Sequence, residues 1–465
     1  MKYTHYFSFA NTAYKCFSTL GIKTICLLSV ITFSYNLSAQ ETTWNGSLDS
    51  DWGSSSNWSN GVPDADDFAI IVSSNNDPII ENDNIVNLSH LRIEEGATLT
   101  IGENEVVNIK RFDDYNINLR ISNIGIRPTA TLINYGQINI EGNPDHETEY
   151  GIWNNGGTII NNKPSGNLPN SGVIDIVGQS VLDNAIENVG TFTNEGIIML
   201  KGYDQTGIEL TEEGVFSNSV NSISIQGGLF GIVMNDDASF LNDGEITIKN
   251  TIFNGIRNLD QSNFTNNNFI NILEGSDAIL ARDSSLFTNT GNLHLEALDG
   301  VGIFINSESV LNNAGGEILI NQIDNRGIFA LDQARFENSG GTIRIIDTKD
   351  DGIELRSGSN FNNTQGGLIY IDSVDIDRRA IEMNGGNFFN DRCSGIINLS
   401  NRAIRNQNPN ATFTFANNGW IISYSDANSR ITNNNIGTII NFGNGAFNIL
   451  NGTDIPANND PTVTQ

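Results

Sequence analysis

A chain of 465 residues with 54 acidic against 24 basic side chains carries a formal charge of −30. That balance argues against a nucleic-acid partner, because phosphate binding needs a concentrated positive surface. With 46 glycines, 9 prolines and abundant asparagine, the composition is that of a turn-rich β protein rather than a helical one.

In chain order, Lys2, Lys15 and Lys23 precede a short apolar run, Ile25 to Ile31, and Leu37-Ser38-Ala39 ends on a small residue before Gln40. A basic stretch, an apolar core and a small residue at the cut predict a signal peptide over residues 1–39 and a chain secreted or held at the outer cell surface. The run falls far short of the ~20 residues that span a bilayer, so no membrane span is expected in the mature chain. Cleavage leaves 21 basic residues against 54 acidic, a balance of −33, and removes Cys16 and Cys26. Neither of these stands in a lipobox, and Cys393 alone cannot close an internal disulfide, so packing must hold the exported fold together.

Residues 40–130 read as an N-terminal cap and lead-in coils. Trp44, Trp52 and Trp58 fall within residues 42–67, where they are expected to close the end of an apolar bore rather than to bind sugar. Leu91 to Ile101 then alternates like strand and turn.

Residues 131–452 carry the repeat. An aromatic or Leu, any residue and an Asn recur from Phe192, Phe216, Phe240, Phe264, Phe287, Leu311, Phe336 and Phe361, in steps of 24, 24, 24, 23, 24, 25 and 25 residues. A second column, a small residue followed by Ile, runs eight residues ahead of the first, as in Gly207-Ile208 and Gly352-Ile353. Upstream, Leu132-x-Asn134 and Leu168-x-Asn170 lie 36 residues apart, which predicts an inserted loop near residues 156–166. Beyond Phe389 the coils lengthen around Phe415 to Gly419 and Ile439 to Gly443, and residues 453–465 read as a linker-like tail.

Each unit holds three short stretches of period-two alternation separated by Gly, Asn, Asp or Ser. No such strand can bury a face alone. Coils stacked at the ~4.8 Å strand spacing pair their backbones and enclose a continuous apolar bore. The predicted fold is an all-β, single-stranded right-handed parallel β-helix of ~24-residue coils, with a dozen coils making a rod on the order of 60 Å. The Ile, Phe and final Ile columns should line its bore, and the Asn should form a ladder at a bend.

The segment Thr43-Trp44-Asn45-Gly46, Asp51-Trp52 and Asn57-Trp58-Ser59-Asn60-Gly61-Val62-Pro63, with Gly96 to Ile101, resembles the start of exported β-helix proteins of Bacteroidetes. The repeats after it look like the pectin-lyase-like superfamily and adhesin-type solenoids. That resemblance implies architecture more than function, since the superfamily holds both enzymes and adhesins. Members of the Bacteroidetes group often end in a C-terminal sorting domain, and no such segment is recognised here.

The polygalacturonase pattern of paired Asp, Gly-His-Gly and Arg-x-Lys is not met: Asp236-Asp237 and Asp350-Asp351 occur without a Gly-His-Gly. His146 with Asp145, Glu147 and Glu149 reads as an exposed loop rather than a metal site. One edge stands out. Two residues before the strand Ile, successive coils carry Arg326, Asp351, Arg379 and Arg402, and one residue after it Phe329, Glu354, Glu382 and Arg405, whereas equivalent positions elsewhere read as mostly neutral. Arginines there could hold carboxylates of a polysaccharide or surface glycan, and the acids could hold hydroxyls or Ca²⁺, no other cofactor being expected. The plainer alternative is a ladder of opposite charges pairing between coils. The sequence therefore favours an adhesin-like glycan-binding protein. Its rivals are a polysaccharide lyase or glycoside hydrolase using the same edge, and a passive matrix component. Coils of 23–25 residues leave little chain for an enzyme's cleft, and the sequence does not set the oligomeric state.

Overall fold

The computed structural model describes residues 40–82, 85–111, 122–145, 148–163, 172–375, 377–391, 393–407, 412–415, 419–424, 428–432, 438–441 and 447–450. The expected signal peptide, His146, Leu168 to Asn170 and the expected linker-like tail lie outside these residues.

One coil serves for all. Thr206–Leu210 lies in sheet A, Val215–Asn218 in sheet B and Ser222–Gln226 in sheet C. The next coil pairs with it in parallel and in register, Ile208 with Ile232, Phe216 with Phe240 and Ile223 with Ile246. Repetition builds three parallel sheets of 17, 15 and 14 described strands, a right-handed β-helix of about 14 turns. At the strand spacing this is a rod of about 65 Å.

Alternation decides which residues enter the bore. Ile208 and Leu210, Phe216, and Ile223 and Ile225 are all completely buried, and the same positions are buried coil after coil. Phe192, Phe216, Phe240, Phe264 and Phe287 stack nearly face to face, with Phe240 and Phe264 centroids 4.8 Å apart and 7° from parallel. Leu311 interrupts the pile, which resumes from Phe336 to Phe413. Two residues on from each Phe, the buried Asn turns the chain from sheet B into sheet C. Its amide donates to the Asn of the next coil, as Asn242 Nδ2 does to Asn266 Oδ1 at 2.8 Å. The ladder runs from Asn134 to Asn390.

The turn from sheet A to sheet B uses two consecutive left-handed residues, such as Asp236 (φ 54°) and Asp237 (φ 61°). Asp tolerates that conformation better than most residues, and it recurs at these corners as Asp236, Asp237, Asp260, Asp283 and Asp332.

The tryptophans close the N-terminal end. Glu41–Trp44 adds a strand beside Phe68–Ile71, and Trp44, Trp52 and Trp58 are buried edge-to-face against one another. Trp58 Nε1 donates to the Trp52 carbonyl at 2.9 Å, and Trp44 Nε1 to the Asn76 carbonyl at 2.8 Å. Burial this complete leaves no ring face for a sugar.

Three expectations change. Residues 156–163 are not an inserted loop: Thr158–Asn161 is a sheet B strand, with Ile159 in the Phe column and Asn161 in the Asn ladder. The coil after Phe388 does not lengthen: Phe413 follows 25 residues on, pairs with Phe388 in register and stacks on its ring. The dozen turns become about 14, because residues 68–88 already complete a coil before the one containing Leu91.

Candidate functional site

Functional side chains must lie outside the bore, so the outward columns of the three sheets hold the chemistry. On sheet B the column reads Thr193, Ser217, Leu241, Thr265, Thr288, Asn312, a small and uncharged series up to Glu337. Sheet A differs. One residue after the inner Ile, its column runs Trp153, Glu187, Glu209, Val233, Arg257, Leu280, Phe304, Phe329, Glu354, Glu382 and Arg405. A flanking column begins Tyr150, Asn184, Thr206, Phe230, Asn254 and Asp277. Aromatic and charged groups are thus aligned along one side of the rod, a coil rise apart.

At the C-terminal end of this face the expected edge forms. Glu354 is buried and accepts from both Arg326 and Arg356, and Arg326 also reaches Asp350 at 3.3 Å. Arg326 and Arg356 both lie over the Phe329 ring, at 4.8 and 5.4 Å from its centroid. Arg378 meets Asp350 at 3.1 Å. Asp351 accepts the Arg379 backbone N–H at 2.7 Å, with the Glu382 carboxyl near enough to act on its charge. Arg379 turns its guanidinium to the carbonyls of Asp377 and Arg378, and Arg402 donates Nε to the Asp375 carbonyl at 2.8 Å. Arg405 stands beside Glu382 in register. Arg326 and Glu354 therefore belong to one ion-pair cluster with Asp350, Arg356 and Arg378, while Asp351, Arg379 and Glu382 lie beside it, with Arg402 and Arg405 on the next coil. Part of it is the charge pairing that the plainer alternative expects, Arg326 to Glu354 above all. Arg356 was missed because it lies outside the two columns.

Burial pushes the Asp351 carboxyl up to about 7, with the charges of Glu382 and Asp350 adding to it and the Arg379 N–H opposing. A carboxyl whose folded pKa lies above its unfolded value binds its proton more tightly in the folded state, so its burial weakens the fold as pH rises from about 4 to about 7. In Asp351→Asn an amide can still accept from Arg379. This variant is expected to gain on the order of 1–2 kcal/mol over wild type at pH 8 and to be no more stable at pH 4. Denaturant titrations at the two pH values check it, and equal effects at both would refute the assignment.

The other end of the face was not anticipated. Glu187, Glu209 and Arg257 occupy the column that the sequence reading took as mostly neutral, and Trp153 heads it. The irregular steps of 34 and 22 residues hide Trp153 and Glu187 from a 24-residue beat, whereas Glu209 and Arg257 follow Ile208 and Ile256 on that beat and were legible there. An open groove of about 550 Å³ lies here, lined by Tyr150, Trp153, Glu187, Glu209, Glu212 and Asp236 among others. A second concavity of about 730 Å³ follows the sheet A to sheet B corners past Asp237, Asp260, Asp283 and Asp332. No group of three His, Cys, Asp or Glu among the described residues is arranged to hold a metal ion. His90 is buried edge-to-face on Phe68, a packing role.

Fold and face together define an acidic right-handed β-helix with a chemically distinct side. A family model described as a domain of unknown function, DUF8693, matches residues 43–160, which hold the tryptophan cap and the first coils. No curated protein and no solved structure matches the chain. Among the described residues no helix is long and apolar enough to cross a membrane.

Proposed function

We propose that the protein is an exported, adhesin-like rod that binds polysaccharide or a cell-surface glycan along the outer face of sheet A. The observation that carries this reading is the in-register alignment of Trp153, Glu187, Glu209, Phe304, Phe329, Glu354, Glu382 and Arg405 on that one face. Aromatic rims, carboxylates and guanidiniums repeated at the coil rise suit a ligand that is itself a repeating chain of hydroxyl-bearing rings. At the C-terminal end Arg379 and Arg402 are the groups for an acidic sugar, because their guanidiniums lean on backbone carbonyls rather than on carboxylates. The signal-like N-terminus supports a place outside the cell, secreted or on the outer surface.

The test is binding of the purified protein to an array of acidic and neutral polysaccharides. The double variant Arg379→Ala, Arg402→Ala is expected to bind acidic glycans about tenfold more weakly. Unchanged binding would remove this edge from the reading.

One observation favours a second reading, a polysaccharide lyase or glycoside hydrolase. Asp351 lies beside Glu382, and burial holds its proton to about pH 7, as a general acid must. Against it, both carboxyls are nearly buried, which leaves little room for a sugar and a water between them. Reducing ends, or the ultraviolet absorbance of an unsaturated uronide, appearing from a bound glycan would establish it.

A further inference from the structure

Midway along sheet A, one charged side chain stands in an apolar strip. Arg257 points outward from the strand Asn254–Asn258, and its column neighbours are Val233 on the coil before, Leu280 on the coil after and Phe304 beyond it. Its guanidinium lies over the Phe230 ring, 5.1 Å from the centroid. Phe230 in turn meets Phe253, with ring centroids 5.6 Å apart. Phe253 is 50 % exposed, and Ile252 beside it is 61 % exposed. The Ile252 and Phe253 backbone N–H groups donate to the Gly228 and Leu229 carbonyls at 3.0 and 2.9 Å, so this ledge is fixed before any ligand arrives.

The guanidinium is under-satisfied. Arg257 is half-buried, and its Nε is enclosed without a hydrogen-bond partner. Among the described residues no carboxylate pairs with it: Asp260, Asp283 and Glu209 act on it through space. Arg282, whose own Nε meets Asp283 at 2.6 Å, repels it. Burial above all, and then the Arg282 charge, hold its pKa below the usual arginine range. The same face supplies a comparison. Arg326 and Arg356 also lie over an aromatic ring, that of Phe329, but both meet the Glu354 carboxylate as well. Arg257 has the ring and lacks the carboxylate. The planar fork of arginine takes such a group with two parallel N–H bonds.

We infer that Arg257 and the Phe230–Phe253 ledge form a subsite for an acidic sugar that also carries an N-acyl group, the chemistry of a sialic acid. The inference rests on the reading of sheet A as a glycan face and names a sugar class for its middle coils. The sugar's carboxylate takes the place beside Arg257 that Glu354 takes beside Arg326. Its acyl methyl lies on the ledge of Phe253 and Ile252, an apolar surface on which a uronic acid places no methyl. Asp260 and Asp283, at the adjoining corners, accept from hydroxyls.

Calorimetry of the purified protein with sialyllactose, lactose and a galacturonate trimer tests this. Sialyllactose is expected to bind, lactose about tenfold or more weakly, and the galacturonate trimer several-fold more weakly. Arg257→Gln, outside the bore, should weaken sialyllactose binding about tenfold. Phe253→Ser, at an exposed position, should weaken it several-fold and narrow its lead over the galacturonate trimer. Sialyllactose binding no tighter than either other sugar, or binding indifferent to both variants, overturns the inference. If sialyllactose binding survives Arg257→Gln and is lost in the Arg379→Ala, Arg402→Ala variant, the sugar sits at the arginine edge. This inference then fails and the glycan-face reading stands. If no glycan of any class binds, both fail.

Discussion

Alanine at Asn266 is expected to destabilise the fold by about 2–4 kcal/mol, measured as a fall in the denaturant midpoint. Asn266 accepts from Asn242 and donates to Asn289 Oδ1 at 2.7 Å, and it also reaches the Asn268 and Asn292 carbonyls. It is completely buried, so no water replaces what its removal leaves. Truncation orphans a donor on one coil, an acceptor on the other and the carbonyls at the bend. Chains of hydrogen bonds polarise one another, so breaking a link in the middle costs more than an isolated pair. Thr265, which points outward from the same strand, is the control, and Thr265→Ala should stay within about 0.5 kcal/mol of wild type. Were Asn266→Ala equally mild, the ladder would be ornament to the bore rather than part of what holds the coils in register.

Phe264→Ala is expected to cost about 3–5 kcal/mol through the cavity it opens between Phe240 and Phe287. Both neighbours are gripped by their own sheet register, so neither can slide in to fill the gap. Phe264→Leu should recover most of the loss, because Leu311 already occupies the same column beside Phe287. Repeat proteins can unfold from their ends, so both variants are best read from global fits rather than a single two-state midpoint. A Leu variant as damaged as the Ala variant would show that aromatic stacking, not filled volume, holds the column.

What the sequence revealed followed from what repetition amplifies. Phe216, Phe240 and Phe264 recur at a fixed spacing because each must meet the one before it in a bore of constant width, and the period is therefore visible. Ile159 was hidden by a change of residue type at an irregular step, although Ile fills the column as well as Phe does. The charged edge from Arg326 to Arg405 was legible because each of its residues keeps a fixed offset from a strand Ile, although the steps between coils are 25, 28 and 23 residues. The groove around Trp153 and Glu187 was not, since irregular spacing breaks the alignment there and only the strand pairing restores it. The raised affinity of Asp351 for its proton could not be read at all: it depends on how deeply the carboxyl is buried, which residue type does not encode.

The equivalence of the central coils has a consequence for how such a chain changes over generations. Between Phe192 and Phe264 every coil has the same length, and each presents the same Phe and Asn to its neighbours. Unequal exchange between two copies of that stretch removes or adds a whole coil and leaves all three sheets paired across the junction. An insertion of a few residues survives only at a corner, where it can bulge outward. The rod can thus grow or shrink in whole steps, and a step taken between Phe240 and Phe264, beyond the last residue that lines the acidic groove, inserts or deletes one rung of the outward face and shifts the distance between that groove and the arginine edge without altering either.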